Sequence, residues 1–193
     1  MIEWLNRADR YLLYAIHQTF SCKALDFWMP KITAFGNGGA VWLAAAAAMT
    51  LSEKYRPYGI AAFAAMGGGL IVGNWFLKNW VARPRPCWEE PVLLLIANPK
   101  DYSFPSGHTL SSVIAAYILT AANRKFGCIA IPLAASIGFS RLYLLVHYPS
   151  DVLASTVLGC AIGFATVRLT RKFTASSDLR SNGRSLLKEP KKP

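Results

Sequence analysis

Two stretches of this chain, Ile32 to Leu51 and Tyr58 to Leu77, each run twenty residues without a charged side chain. At a helical rise of about 1.5 Å per residue, that length crosses the roughly 30 Å hydrocarbon core of a bilayer. In lipid only helices and closed barrels satisfy their own backbone polar groups, and strand-like alternation of apolar and polar residues is missing. The chain is therefore expected to be an all-α integral membrane protein.

Three further uncharged stretches are shorter: Thr109 to Asn123 and Phe126 to Ser140 have 15 residues each, Val152 to Val167 has 16. Each becomes a span if its helix continues through the polar residues beside it, which puts His108, Arg141, His147 and Asp151 at or near span ends. Ionisable residues so placed are costly to bury and are functional candidates by default. The expected architecture is a bundle of about five transmembrane helices, or six if the N-terminal helix inserts.

Residues 1–36 read as amphipathic, interfacial helices. Met1 to Phe20 mixes Glu3, Arg7, Asp9 and Arg10 with apolar residues at helical spacing, and lacks the h-region and cleavage site of a signal peptide. A second short helix is expected from about Ala24 to Phe35, ended by Gly36-Asn37-Gly38-Gly39; one helix kinked across these glycines is the alternative. Residues 37–172 form the membrane core, and residues 173–193 read as a basic, disordered tail.

The formal charge is +11, in a chain that is 53% apolar and 16% charged. That composition excludes intrinsic disorder of the whole and directs the excess base to anionic lipid, not nucleic acid. Lys54, Arg56, Arg124, Lys125 and eight bases after Val167 fall on one face of a five-span bundle. The positive-inside rule makes that face, and the C-terminal tail, cytoplasmic. The opposite face, outside a bacterial plasma membrane, carries Asn79–Gly107 and Ser140–Asp151. The four cysteines form no CxxC, and Cys128 and Cys160 read as small buried apolar residues. Ala44–Ala48 and Gly67–Gly69 read as surfaces for close helix packing.

The chemistry-bearing residues cluster on that outer face. Pro84 and Pro86 stop the second span and hold Lys78 near Arg85. Pro105-Ser106-Gly107-His108 opens the third span, whose free N–H groups and positive dipole end suit an anion. The fourth span ends at Ser140-Arg141. The fifth begins near His147-Tyr148-Pro149-Ser150-Asp151, with Asp151 four residues beyond His147 and expected to hydrogen-bond its imidazole.

Lys78 to Pro86 (K-x6-R-P), Pro105 to His108 (P-S-G-H) and Ser140 to Asp151 (S-R-x5-H-x3-D) together resemble the three-part signature of the type 2 phosphatidic acid phosphatase superfamily. The resemblance covers about Leu51 to Val167. It implies a phosphohydrolase that uses neither metal nor other cofactor. His147 would be the nucleophile, oriented by Asp151. His108 would protonate the leaving oxygen and then activate water. Lys78, Arg85, Arg141, the Ser106 hydroxyl and the Gly107 N–H would hold the phosphoryl oxygens. Three cations on one water-accessible face suit that task independently, since Arg presents paired donors to phosphate. With one histidine neutral and the other protonated, activity should peak between mildly acid and neutral pH.

Singly, each residue has a plainer reading. Lys78 can snorkel from a helix end, either histidine can be an ordinary interfacial one, and Asp151 can be an acidic first-turn residue. Arg83 can meet lipid headgroups or a second substrate phosphate. His17 reads as structural, and Tyr102, Tyr143 and Tyr148 as interfacial anchors. The apolar run Pro91–Ala97 either dips into the outer leaflet to guide a lipid tail or forms a short helix on the spans.

The substrate implied is a lipid phosphate: undecaprenyl diphosphate first, then phosphatidylglycerophosphate or phosphatidate. Membrane lipids are the only other partners expected, and no feature points to a particular oligomeric state. A different class, a non-enzymatic protein that binds or transports an anionic lipid, would use the same cations without His147.

Overall fold

The computed structural model describes residues 3–89 and 93–186, with side chains through residue 176. Nine α-helices occur among them, and no strand. They are α1 (Glu3–Phe20), α2 (Lys23–Phe35), α3 (Ala40–Thr50), α4 (Arg56–Gly69), α5 (Lys78–Val81), α6 (Pro86–Glu89), α7 (Gly107–Ala122), α8 (Arg124–Tyr143) and α9 (Pro149–Leu186). A 3-10 turn at Asn37–Gly39 joins α2 to α3, and a π-helical stretch, Leu70–Leu77, joins α4 to α5.

Among the described residues three helical segments are long and apolar enough to cross a membrane: Arg56–Glu89 (α4 through α6), Arg124–Tyr143 and Pro149–Ser176. The pair α2 and Asn37–Thr50 qualifies only jointly and is bent by 46°. The break falls where Gly38 and Gly39 take φ of +58° and +70°, which side chains with a Cβ avoid. Of the two readings of this region, the broken pair is the one observed.

Not every short apolar stretch lengthens into a span. α7 remains 16 residues long, because Asn123 leaves the helix in extended backbone and its side chain accepts from the Lys125 N–H at 3.0 Å, capping α8 instead. α7 packs against α3, α4, α8 and α9, so its neighbours rather than lipid surround it. A Cβ added at Gly159 of α9 would stand 2.9 Å from Val113 of α7. Between membrane helices such close approach, not removal of surface from water, carries association.

Several expectations need correction. A Cβ built on Gly67 or Gly68 would meet nothing within 4 Å among the described residues, whereas one on Gly69 would stand 2.7 Å from Ile114. Cys128 and Cys160 are exposed, since a helix facing lipid can carry small apolar residues outward at no cost. Tyr143 and Tyr148 are buried, their hydroxyls donating to Asp26 at 2.6 Å and Glu89 at 2.5 Å, so they are packing residues and not interfacial anchors. The helix α9 runs through Leu186, into the segment read as disordered from 173. That segment has no proline before 187, and extending an existing helix requires no new nucleus. Residues 187–193 lie outside the described residues. So do Pro91 and Val92; the rest of that apolar run is irregular, with Leu94 and Ile96 packed inward and Leu93 exposed, and is not a helix.

The two ends of the bundle are distinct. Asn123 donates to the Tyr55 hydroxyl at 3.0 Å and Phe126 packs on the Tyr55 ring, so Lys54, Arg56, Arg124 and Lys125 gather at one end. The segments 78–107 and 140–151 gather at the other.

Candidate active site

A cavity of about 680 Å³ opens at this second end. Lys78, Arg85, Asp101, His108, Arg141 and His147 line its polar part, and Leu43, Phe63, Met66 and Leu70 line an apolar arm between α3 and α4.

The chain turns sharply to build it. The α5 helix ends at Ala82, whose left-handed backbone (φ +46°) lets its N–H bond the Lys78 carbonyl at 3.0 Å. The prolines that follow carry Arg85 back beside Lys78. Both cations are buried and share one anion: Asp101 accepts from Lys78 Nζ at 2.5 Å and from Arg85 Nη2 at 2.8 Å, while its backbone carbonyl accepts from Arg85 Nε at 2.6 Å. Partial burial alone would raise the Asp101 pKa. The hydrogen bond from Lys78 and the charges of Arg85 and Lys78 outweigh it and hold the carboxyl at about 2.

Ser106 caps α7, accepting from the Thr109 hydroxyl at 3.0 Å and, more weakly, from its N–H at 3.5 Å. It is fully buried and stands behind the cavity wall, whereas Gly107 and His108 face the cavity. A Cβ at Gly107 would lie 2.7 Å from Asn74 Oδ1, so α7 approaches the Asn74 side chain of the π-helical stretch closely there. His108 Nε2 pairs with Asn37 Oδ1 at 2.9 Å. Arg141, in the last turn of α8, donates to Thr33 at 2.6 Å. Its Nε and Asn74 Oδ1 are buried without a hydrogen-bond partner among the described residues. Both residues line the cavity, so a ligand there would find an unused donor and an unused acceptor.

His147 is 1% exposed and follows Leu145, a residue at φ +57°. Arg85 Nη1 approaches its Nε2 at 3.2 Å and also donates to the Val146 carbonyl at 2.7 Å. Guanidinium can only donate, so Nε2 carries the lone pair and the ring proton sits on Nδ1. Burial, reinforced by Arg85 and Arg141 and only partly opposed by Asp151, pushes the imidazole pKa down to about 3. The ring is therefore neutral at ordinary pH.

The expected pairing of His147 with Asp151 is present but long, and Ser103 shares it. Nδ1 lies 3.7 Å from Asp151 Oδ2, beyond hydrogen-bond length. The Ser103 hydroxyl stands beside the pair, 3.5 Å from Nδ1 and donating to Asp151 Oδ2. Asp151 also accepts from the Tyr148 N–H at 2.9 Å.

The structure brings Lys78, Arg85, His108, Arg141 and His147 around one space with Gly107 at its wall, while Asp151 stands behind it and Ser106, expected to hold a phosphoryl oxygen, is buried behind the wall and bonded to Thr109 instead. Sequence reading missed Asp101, Ser103, Asn37 and Asn74. The only available signal was an acid and a hydroxyl standing just ahead of Pro105. Arg83 is engaged inside the fold: it is 4% exposed, donates to Asp151 at 2.7 Å and to Asp9 at 2.6 Å, and stacks on Tyr148. His17 bonds the Tyr143 carbonyl at 3.0 Å.

The PAP2 superfamily model matches residues 57–175. An undecaprenyl-diphosphatase of Sulfolobus acidocaldarius is 32% identical over 67% of this chain and 63% of its own length. The undecaprenyl-diphosphatase BcrC of Bacillus subtilis is 35% identical over 68% of this chain and 64% of its own. The chain thus spans a little under two thirds of those relatives. Among solved structures, a transmembrane PAP2-type phosphatidylglycerolphosphate phosphatase from Bacillus subtilis superposes with a TM-score of 0.73 at 25% identity, covering 89% of this chain and 88% of that one.

Proposed function

The chain belongs to the PAP2 superfamily, and from that premise we propose that it is a membrane lipid phosphatase working through a phosphohistidine at His147. The observation that carries this reading is the Nε2 lone pair of a neutral, buried His147, held against Arg85 in a cavity it shares with Lys78, Arg141 and His108. A phosphate entering that cavity takes over Lys78 and Arg85 from Asp101 and gives Arg141 Nε its missing acceptor. As Arg85 turns to the phosphate, it uncovers Nε2 for attack.

The reaction is then a double displacement. Nε2 bonds to phosphorus as the bond to the leaving oxygen breaks, and His108 supplies that oxygen's proton. The charge on the equatorial oxygens is met by the three cations and the Gly107 N–H. Positive charge appearing on the His147 ring is balanced through Nδ1–H, Ser103 and Asp151, the orienting logic of other acid–histidine pairs. His108, now neutral, takes a proton from water, the oxygen bonds to phosphorus, and the P–N bond breaks to release phosphate.

The apolar arm supports a lipid as the carrier of that phosphate. Leu43, Phe63 and Leu70 on its wall are exposed, which supports a tail staying at membrane depth while the headgroup reaches the cations. The names of the two undecaprenyl-diphosphatase relatives favour undecaprenyl diphosphate, with phosphatidylglycerophosphate second. The segregation of Lys54, Arg56, Arg124 and Lys125 to the far end supports a site on the outer face of a bacterial plasma membrane and a cytoplasmic α9 terminus.

The test is phosphate release by the purified protein in excess chelator, from undecaprenyl diphosphate, phosphatidylglycerophosphate and phosphatidate in parallel, with His147→Ala as control. Chelator-resistant release lost in the variant is expected, and the ranking of the lipids identifies the substrate. Lipid binding without release by the wild type would instead favour the non-enzymatic binding protein.

A further inference from the structure

Asp9 lies on α1, outside the span matched by the family model, and no motif singles it out. It is nonetheless 3% exposed, and its carboxylate is fully engaged. Oδ2 accepts from Arg83 Nη2 at 2.6 Å and from the Ser150 hydroxyl at 2.5 Å, and Oδ1 accepts from the Ser150 N–H at 2.9 Å. Asp9 therefore satisfies a free N–H in the first turn of α9 from another helix, one residue before Asp151.

Arg83 divides its guanidinium between two carboxylates. Nη2 serves Asp9 and, at 3.0 Å, Asn6; Nη1 serves Asp151 Oδ1 at 2.7 Å and Ser150 Oγ at 2.8 Å. Asp151 is thus held by Arg83 on one oxygen and by Ser103 and the Tyr148 N–H on the other. Those two sets of bonds fix the plane of the carboxylate that faces His147. Burying two acids and one base is costly, and nothing in the phosphate cradle needs them.

We propose that Asp9 and Arg83 are positioning residues for the Asp151–Ser103–His147 array, which makes α1 part of the catalytic framework. The proposal rests on the phosphatase reading above. With Asp9 present, Arg83 is shared and meets Asp151 through one nitrogen only. Without its charge, the guanidinium is free to close both nitrogens onto Asp151, the geometry arginine prefers with a lone carboxylate. That rotation takes Asp151 off Ser103 and withdraws its carboxylate from beside Nδ1 of His147.

The experiment compares the full chain with Asp9→Asn and Arg83→Lys in detergent, measuring kcat on the best lipid substrate, vanadate inhibition and thermal unfolding. Lysine keeps the charge of Arg83 but cannot fork to two carboxylates. In both folded variants kcat is expected to fall about 10- to 100-fold, as when a group orienting a reacting residue is lost. Vanadate inhibition should stay within about threefold of wild type, because no residue of its cradle has changed. Asp9→Asn keeps the size and shape of the side chain, and Arg83→Lys provides a second route should Asp9→Asn not fold. Wild-type kcat in either folded variant overturns the proposal, and so does loss of vanadate affinity in step with kcat, which signals a general distortion. A wild-type protein that releases no phosphate is a different result, the failure of the phosphatase reading itself.

Discussion

Replacing Asp101 by asparagine should tighten the hold of this protein on phosphate analogues. The Asp101 carboxylate occupies Lys78 and Arg85 through contacts of 2.5 and 2.8 Å, so an incoming oxyanion must displace it. A hydrogen bond to a charged group contributes about 1.5–3 kcal/mol where it is buried. The Asp101 side chain is 57% exposed, and solvent screening reduces the pair to about 1–2 kcal/mol in total. The asparagine amide keeps one weak acceptor and returns most of that, so vanadate should bind about 5- to 30-fold more tightly. Because the Asp101 pKa is held at about 2, the wild-type carboxylate stays charged throughout the working range. The gain should therefore be constant from pH 5 to 8, about three units or more above that pKa. Vanadate inhibition of phosphate release, titrated at several pH values for both proteins, measures it. Unchanged or weaker inhibition in the variant would refute the reasoning and make Asp101 a scaffold that orders the two cations.

Four other outcomes are expected. Since burial lowers the His147 pKa to about 3, the unfolded chain takes up a proton near 6.5 that the folded one refuses. Stability should be complete above about pH 6.5 and decline as pH falls toward 3. Thermal unfolding of His147→Asn should lack that part of the decline, and an identical decline in both proteins would contradict it. The same shift extends the acid limb of activity well below the mildly acid range expected from sequence. Ala82→Gly should raise stability by about 1 kcal/mol, because the left-handed backbone at φ +46° strains a residue with a Cβ; denaturation in detergent tests it, and a loss of stability would count against it. Gly67→Leu places a side chain into the apolar arm where a Cβ meets nothing within 4 Å. It should lower kcat/KM for the long-chain lipid relative to a short-chain analogue, and an unchanged ratio would move the tail elsewhere.

The site residues were legible because they sit in short motifs at helix ends, where loops and prolines interrupt the apolar pattern. Lys78 and Arg85, or His147 and Asp151, are near in sequence, and one turn or one helical step brings them together. What was not legible depends on distant pairing. Asp9 meets Arg83 across 74 residues and Trp42 meets Ser112 across 70, and no local periodicity encodes such contacts. The Ser103 contact was hidden for another reason: spacing gives the direction of Asp151 but not the gap left at 3.7 Å. Cys128 and Cys160 were misplaced because hydropathy in a membrane chain does not distinguish packing against protein from packing against lipid.

The central claim is that His147 carries the phosphoryl group, and trapping that group tests it directly. The protein, mixed with lipid labelled in its terminal phosphate and quenched in alkali within the first turnover, should retain label that is stable to base and lost in acid. The labelled peptide should contain His147, and His147→Asn should take up no label. Phosphate released in a burst from a protein that never becomes labelled, or label found on another residue, would contradict the account.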